Sequence, residues 1–162
     1  MNRKYSVFLG NAGSCSDRYC SAYGKSFTTE ELLDRVQSIE LVTGVDLVAT
    51  PDLMKISGKL DEMVKSHDLK VVSIAADIFS EEKWKKGSLS SSDKSVRKDA
   101  IRHSMEVMDL TEELGSDIFT IWPGQDGYDY IFQADYIKSR EYFIESLKEL
   151  CAYKPDMTVA LE

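Results

Sequence analysis

The run Trp122-Pro123-Gly124-Gln125-Asp126-Gly127-Tyr128 carries the clearest chemical signal in this chain. A tryptophan that closes an apolar strand, followed by a Pro-Gly turn and by amide and acid side chains, makes a ring-sized wall with hydrogen-bonding groups beside it. Sugars present C–H faces and hydroxyls together and are held by such mixtures. The same residues also suit a buried tryptophan beside an ordinary Asp-Gly turn, and residue types alone leave the two readings level. Glu162 ends another apolar run, Val159-Ala160-Leu161, and read by itself is a solvated acid. Asn11 and Asp77 follow apolar runs and either point into a site or terminate a strand. Phe79 and Trp84 share a long loop, as a lid over a pocket or as the loop's anchors. The run Tyr128 to Gln133 is a pocket rim or a partner surface.

Composition narrows the classes. The chain has 162 residues, 43% hydrophobic and 30% charged, which suits one globular domain with a real core. No apolar run approaches the length needed to cross a bilayer, and the first residues lack a secretory apolar core, so the expected location is cytoplasmic. A formal net charge of −8 repels phosphate backbones and anionic membranes, so neither a nucleic acid nor a membrane is expected as partner. Cys15, Cys20 and Cys151 match no common zinc framework and read as free thiols. His67 and His103 lie away from strand ends and read as structural or surface residues.

Short apolar runs alternate with helical stretches. Strands are expected at Tyr5–Leu9, Val45–Ala49, Val71–Ala76, Asp117–Trp122 and Met157–Leu161. The third is nearly all apolar, as a strand covered on both faces should be. The first helix starts near Thr28-Thr29-Glu30-Glu31 and presents Leu32, Leu33, Val36 and Ile39. Asp52 is placed to cap the second, with Leu53, Ile56, Leu60 and Val64 at helical spacing. The third spans Ser95 to Leu114, and the fourth Asp135 to Tyr153 with Tyr136, Phe143, Leu147 and Leu150 on its apolar face. This β-α-β-α-β-α-β-α-β order fits an open doubly wound sheet or a closed barrel. Gly10-Asn11-Ala12-Gly13 does not open directly into a helix, so a dinucleotide fold is disfavoured. Long aromatic loops after strands one, three and four favour the barrel.

The strand-four run resembles the Trp-Gly-Gly-Arg-Glu-Gly segment of xylose isomerases. It is closer still to the Trp-Pro-Gly-Gln-Asp-Gly-Tyr segment of xylose-isomerase-like TIM-barrel proteins, the sugar phosphate isomerases/epimerases. Asp17-Arg18-Tyr19 with Tyr23-Gly24 resembles that group's loop after strand one. Trp84-Lys85-Lys86-Gly87-Ser88-Leu89, with Asp93 and Val96-Arg97, resembles its loop after strand three.

The resemblance implies an α/β fold: a partial (β/α)8 barrel of about five parallel strands and four helices, with residues 1–162 as its N-terminal part. It implies a metal-dependent sugar or sugar-phosphate isomerase or epimerase that abstracts a proton through an enediolate. Glu162 matches the family's strand-five glutamate, a metal ligand and an acid/base. Trp122, Gln125 and Asp126 fall at the substrate. The metal would be divalent (Mn, Mg, Co or Zn), with its other ligands on strands absent from residues 1–162, so this chain alone is expected to be inactive. The absence of histidines at strand ends argues against ring opening by histidine and against the endonuclease branch of the fold. Inositol-derivative dehydratases and hydroxypyruvate isomerases share the scaffold and leave the substrate open. The alternative is a non-catalytic half-barrel that self-associates, as a homo-oligomer, or pairs with a missing C-terminal half.

Overall fold

A computed structural model describes residues 4–13, 26–124 and 127–162 of the chain. Strands β1 (Tyr5–Phe8), β2 (Val42–Ala49), β3 (Lys70–Ala76), β4 (Ile118–Ile121) and β5 (Thr158–Leu161) form one sheet. Helices α1 (Thr29–Gln37), α2 (Pro51–Lys55), α3 (Ser57–Ser66), α4 (Lys94–Glu113) and α5 (Tyr136–Tyr153) connect them. All pairings are parallel and the order is β1-β2-β3-β4-β5. A doubly wound sheet reverses its strand order at a switch point. An order that never reverses, joined by right-handed crossovers, keeps its helices on one face, as in a barrel wall.

Burial follows that division. Val45, Leu47 and Ala49 of β2, Ile74 and Ala76 of β3, and Phe119 and Ile121 of β4 are each no more than 2% exposed. They form one core with Leu33 and Val36 of α1, Leu60 and Val64 of α3, Val107 and Met108 of α4 and Leu150 of α5. Truncating a fully buried ring such as Phe119 to alanine costs about 3–5 kcal/mol. On the other face Phe8, Val72 and Trp122 are each more than a third exposed. The nearly apolar β3 is therefore covered on its helix side, while Val72 on the opposite side is open.

Local chemistry fixes the helix starts. Thr28 and Glu31 form a reciprocal capping box: Glu31 N–H donates to Thr28 Oγ1 at 3.2 Å, and Thr28 N–H donates to Glu31 Oε2 at 2.8 Å. Asp93 caps α4, accepting from the Ser95 N–H at 2.7 Å and the Ser95 hydroxyl at 2.6 Å. Asp135 caps α5 through the Lys138 N–H at 3.1 Å. At the other end of α5, the Tyr153 hydroxyl donates to Asp109 Oδ2 at 2.9 Å, and Lys154 pairs with Asp109 and Glu112 of α4.

Several boundaries differ from expectation. β2 starts at Val42 rather than Val45, because Gly44 is a strand residue. A Cβ there would lie 2.6 Å from Val72 Cγ2, so the glycine marks a close strand approach and not a turn. Thr50, not Asp52, caps the following helix, its Oγ1 accepting from the Leu53 N–H at 3.3 Å ahead of Pro51. That helix then breaks at Ile56 into α2 and α3. Ile39 lies past the end of α1 and is 46% exposed, and Tyr136 on α5 is 47% exposed, so neither joins the core. Cys151 is exposed and unpaired, while Cys15 and Cys20 lie outside the described residues. Among the described residues no helix is long and apolar enough to cross a membrane.

Hydrogen bonds from Ser95 and Val96 lower the carboxyl pKa of Asp93, and those from Lys138 lower that of Asp135. The Lys154 and Tyr153 hydrogen bonds do the same for Asp109. A depressed folded-state pKa adds stability above the ordinary carboxylate value, and that stability is lost as pH falls through the lowered value. The urea midpoint should therefore be flat from neutrality to about pH 5 and decline below about pH 4. Asp93→Asn, which keeps an acceptor without the charge, should decline less over the acid range. An equal decline in the two proteins would contradict the assignment.

Candidate functional site

The alternation that buries Phe119 and Ile121 sends Thr120 and Trp122 to the opposite face. Trp122 stands just past the end of β4, and Glu162 just past the end of β5. Ile121 pairs with Leu161, and the Glu162 N–H donates to the Ile121 carbonyl at 3.1 Å. The ladder therefore sets Trp122 and Glu162 side by side, and both line a cavity of about 550 Å³. Phe8, Asn11, Asp46, Ser73, Phe79 and Thr120 also border it. That volume lies in the range of small-molecule sites.

The loop between β3 and α4 separates the roles left open for its residues. Asp77 is 2% exposed, accepts from both the backbone N–H and the hydroxyl of Ser80, and does not border the cavity. It terminates β3. Trp84 is 2% exposed and Leu89 1%. The Ser146 hydroxyl of α5 donates to the Leu89 carbonyl at 2.8 Å. Arg97 donates to the Ser91 carbonyl and stacks on the Tyr142 ring at 3.9 Å. Trp84 is thus an anchor in a pinned loop. Phe79, nearer the strand, meets Trp122 edge to face, with ring centroids 4.4 Å apart at 79°. Asn11 sits in the 3-10 turn after β1 and borders the cavity.

Three polar bordering residues, Asp46, Ser73 and Thr120, escape a sequence reading because they lie inside strands. Asp46 of β2 pairs in register with Ser73 of β3, next to a register shift at Val45/Asp46. The Ser73 hydroxyl donates to Asp46 Oδ1 at 2.8 Å. The available signal was polarity at an inward position of an otherwise apolar strand. Gln125 and Asp126 lie outside the described residues, as do the strand-one loop positions Asp17, Arg18, Tyr19, Tyr23 and Gly24. Tyr130, Ile131 and Phe132 are 58%, 62% and 80% exposed and do not border the cavity. His67 joins α1 to α3, with Nε2 3.2 Å from Asp34 Oδ1 and Nδ1 2.7 Å from the Met63 carbonyl. His103 faces Glu106 on the same helix. Neither histidine borders the cavity.

The described lining carries two carboxylates, Asp46 and Glu162, and no lysine, arginine or histidine. Among the described residues no group of three or more His, Cys, Asp or Glu side chains is placed to hold a metal ion. The divalent metal implied by the resemblance therefore lacks a full ligand set here, and Glu162 is at most one of its ligands.

Comparison with known proteins places this geometry. A family model described as xylose isomerase-like TIM barrel matches residues 36–162. The xylose isomerase of Thermus thermophilus is 38% identical over 88 residues, covering 54% of this chain and 23% of that protein. That of Fervidobacterium gondwanense is 28% identical over 102 residues, covering 63% of this chain and 24% of the relative. A D-psicose 3-epimerase from Clostridium cellulolyticum H10, crystallised with D-tagatose, superposes with a TM-score of 0.62 at 15% identity. It covers 84% of this chain and 46% of its own. A D-tagatose 3-epimerase-like protein gives 0.65 at 14% identity, covering 96% and 51%. The matches thus span about a quarter of the curated relatives and about half of the solved barrels. At such identities the structures speak for the fold, and the five strands are those of a partial barrel.

The two tryptophans should behave oppositely. Trp122, 42% exposed, should carry nearly all the fluorescence accessible to acrylamide, and Trp84 almost none. Trp122→Phe should leave a blue-shifted, poorly quenched emission. Undiminished quenching in that variant would contradict the placement.

Proposed function

The chain belongs to the xylose isomerase-like TIM barrel family, and from that premise we propose that it carries the early-strand portion of a sugar isomerase or epimerase site. One observation carries the reading: Trp122 and Glu162, on neighbouring strand ends, face one cavity. Active sites of barrels of this kind gather at the carboxyl ends of the strands.

In this proposal the Trp122 face packs on the C–H surface of the sugar, with Phe79 closing one side of the same wall. Gln125 and Asp126, next in sequence to Gly124 and Gly127, supply hydrogen bonds to hydroxyls. A lining with two carboxylates and no lysine, arginine or histidine among the described residues favours a neutral sugar over a phosphorylated one. The relatives' names agree, since one solved neighbour was crystallised with D-tagatose.

Glu162 is the proposed acid/base. Its carboxylate takes the proton from the carbon beside the sugar carbonyl, the C–H electron pair becomes the carbon–carbon double bond and the carbonyl π pair moves to its oxygen, forming an enediolate. A proton returned by Glu162 to the neighbouring carbon, with the adjacent hydroxyl proton passing to the former carbonyl oxygen, gives isomerisation; a proton delivered to the opposite face by an acid from outside the described residues gives epimerisation. A divalent cation is part of this proposal for the whole enzyme, as a neutralising charge near the oxygens. It would need ligands from outside the described residues, so no step is assigned to it.

The 162-residue chain should bind aldoses or ketoses weakly, in the millimolar range, about −4 kcal/mol, without converting them. Trp122→Ala should weaken binding about tenfold, a loss of about 1.4 kcal/mol. Calorimetry with D-xylose and D-tagatose checks both. Absence of binding to either sugar would contradict the site, and turnover by this chain would contradict the need for further ligands.

A further inference from the structure

We propose that Gly124 is a positioning residue that sets the Phe79–Trp122 aromatic wall, an inference that rests on the sugar-site reading above. Gly124 has a φ of +72°, and a Cβ built on it would lie 2.5 Å from Phe79 Cβ and 3.6 Å from Phe79 Cα. The turn after β4 is therefore seated directly on the residue that meets Trp122. Gly127, with a φ of +55°, repeats the arrangement: a Cβ there would overlap the Lys85 carbonyl oxygen. Two successive glycines of one loop thus admit two points of the same neighbouring loop.

A left-handed turn alone would explain glycine at both positions. Gly115 shows what that simpler case looks like. Its φ is +73°, and nothing lies within 4 Å of the Cβ position. At Gly124 the added constraint is contact.

The loop after β3 has little room to retreat from an added methyl. Asp77 and Ile78, just before Phe79, are 2% and 1% exposed, and Trp84 beyond it is 2% exposed. The far end is pinned by Ser146 on Leu89 and by Arg97 on Ser91. A methyl on Gly124 therefore displaces the Phe79 ring or swings the turn that begins two residues after Trp122. Either movement opens the edge-to-face pair, now at 4.4 Å between centroids. The Trp122–Phe79 corner is a fixed wall whose angle is set by a missing side chain, and no closing lid is required to form it.

Gly124→Ala and Gly115→Ala carry the same backbone strain, and comparing them in the full chain isolates the contact. Both should lower the thermal midpoint. Only Gly124→Ala should increase acrylamide quenching of Trp122. It should also weaken D-tagatose binding about tenfold or more, the scale at which displacements of about 1 Å act. In a Phe79→Gly background, which removes the Cβ that the added methyl would meet, the Gly124→Ala change should add nothing further to quenching or affinity. Equal quenching and affinity in the two glycine variants would overturn the proposal. Quenching does not depend on sugar, so a chain that binds no sugar contradicts the sugar-site reading while the quenching contrast still decides this one. If Gly124→Ala does not fold, Phe79→Ala alone must raise Trp122 quenching, and unchanged quenching there overturns the proposal.

Discussion

Side chains alternate across a parallel ladder, and here that alternation separates two chemistries. Phe119 and Ile121 of β4 are fully buried among the helices, while Thr120 and Trp122 face the cavity. A slip of one residue in the β4–β5 register would send Glu162 into the helix layer and a leucine into the cavity. On β4 the helix side is costly to lose: each buried aliphatic or aromatic side chain truncated there costs a few kcal/mol. The position of Trp122 is therefore a consequence of core packing on the other face of β4, while Glu162 is placed by its backbone pairing with that strand, Leu161 before it being 57% exposed.

The strands supply direction, and the loops supply shape. The connection from β3 to α4 is held at its far end by α5 and at its near end by Asp77. Phe79 is delivered against Trp122 between those fixed points. The turn after β4 completes the contact by having no side chain at Gly124 and Gly127. A site built in this way is preorganised, because neither aromatic ring has to be ordered when a ligand arrives. The carboxylates are placed differently, Asp46 deep in the strands beside Ser73 and Glu162 at the mouth.

Much of this was legible in the amino-acid order. The helix start at Thr28 to Glu31, the helix stop at Gly115 and the five apolar runs all state local preferences that packing did not override. Residue types alone left Trp122 and Glu162 open, the resemblance singled them out, and strand register sets both on one cavity. The expected start of β2 at Val45 was late because Gly44 lies inside the strand, where the nearness of Val72 explains a glycine. Thr50 was eclipsed by Asp52 because both are good caps, and Pro51 at the first helical position favours the residue before it. Asp46 and Ser73 were illegible because their partnership is 27 residues apart in sequence and created by strand register.

The central claim is that sugars enter the face of the sheet opposite the helices, between Trp122 and Glu162. Resonance assignment followed by titration with D-tagatose tests it most directly. The account predicts that shifts gather at the indole of Trp122, the ring of Phe79 and the inward residues Thr120, Ser73 and Glu162, with the helix-side signals of Phe119 and Leu150 unmoved. Shifts centred instead on the outer cleft between Lys86 and Arg140, or spread over the helices, would contradict it.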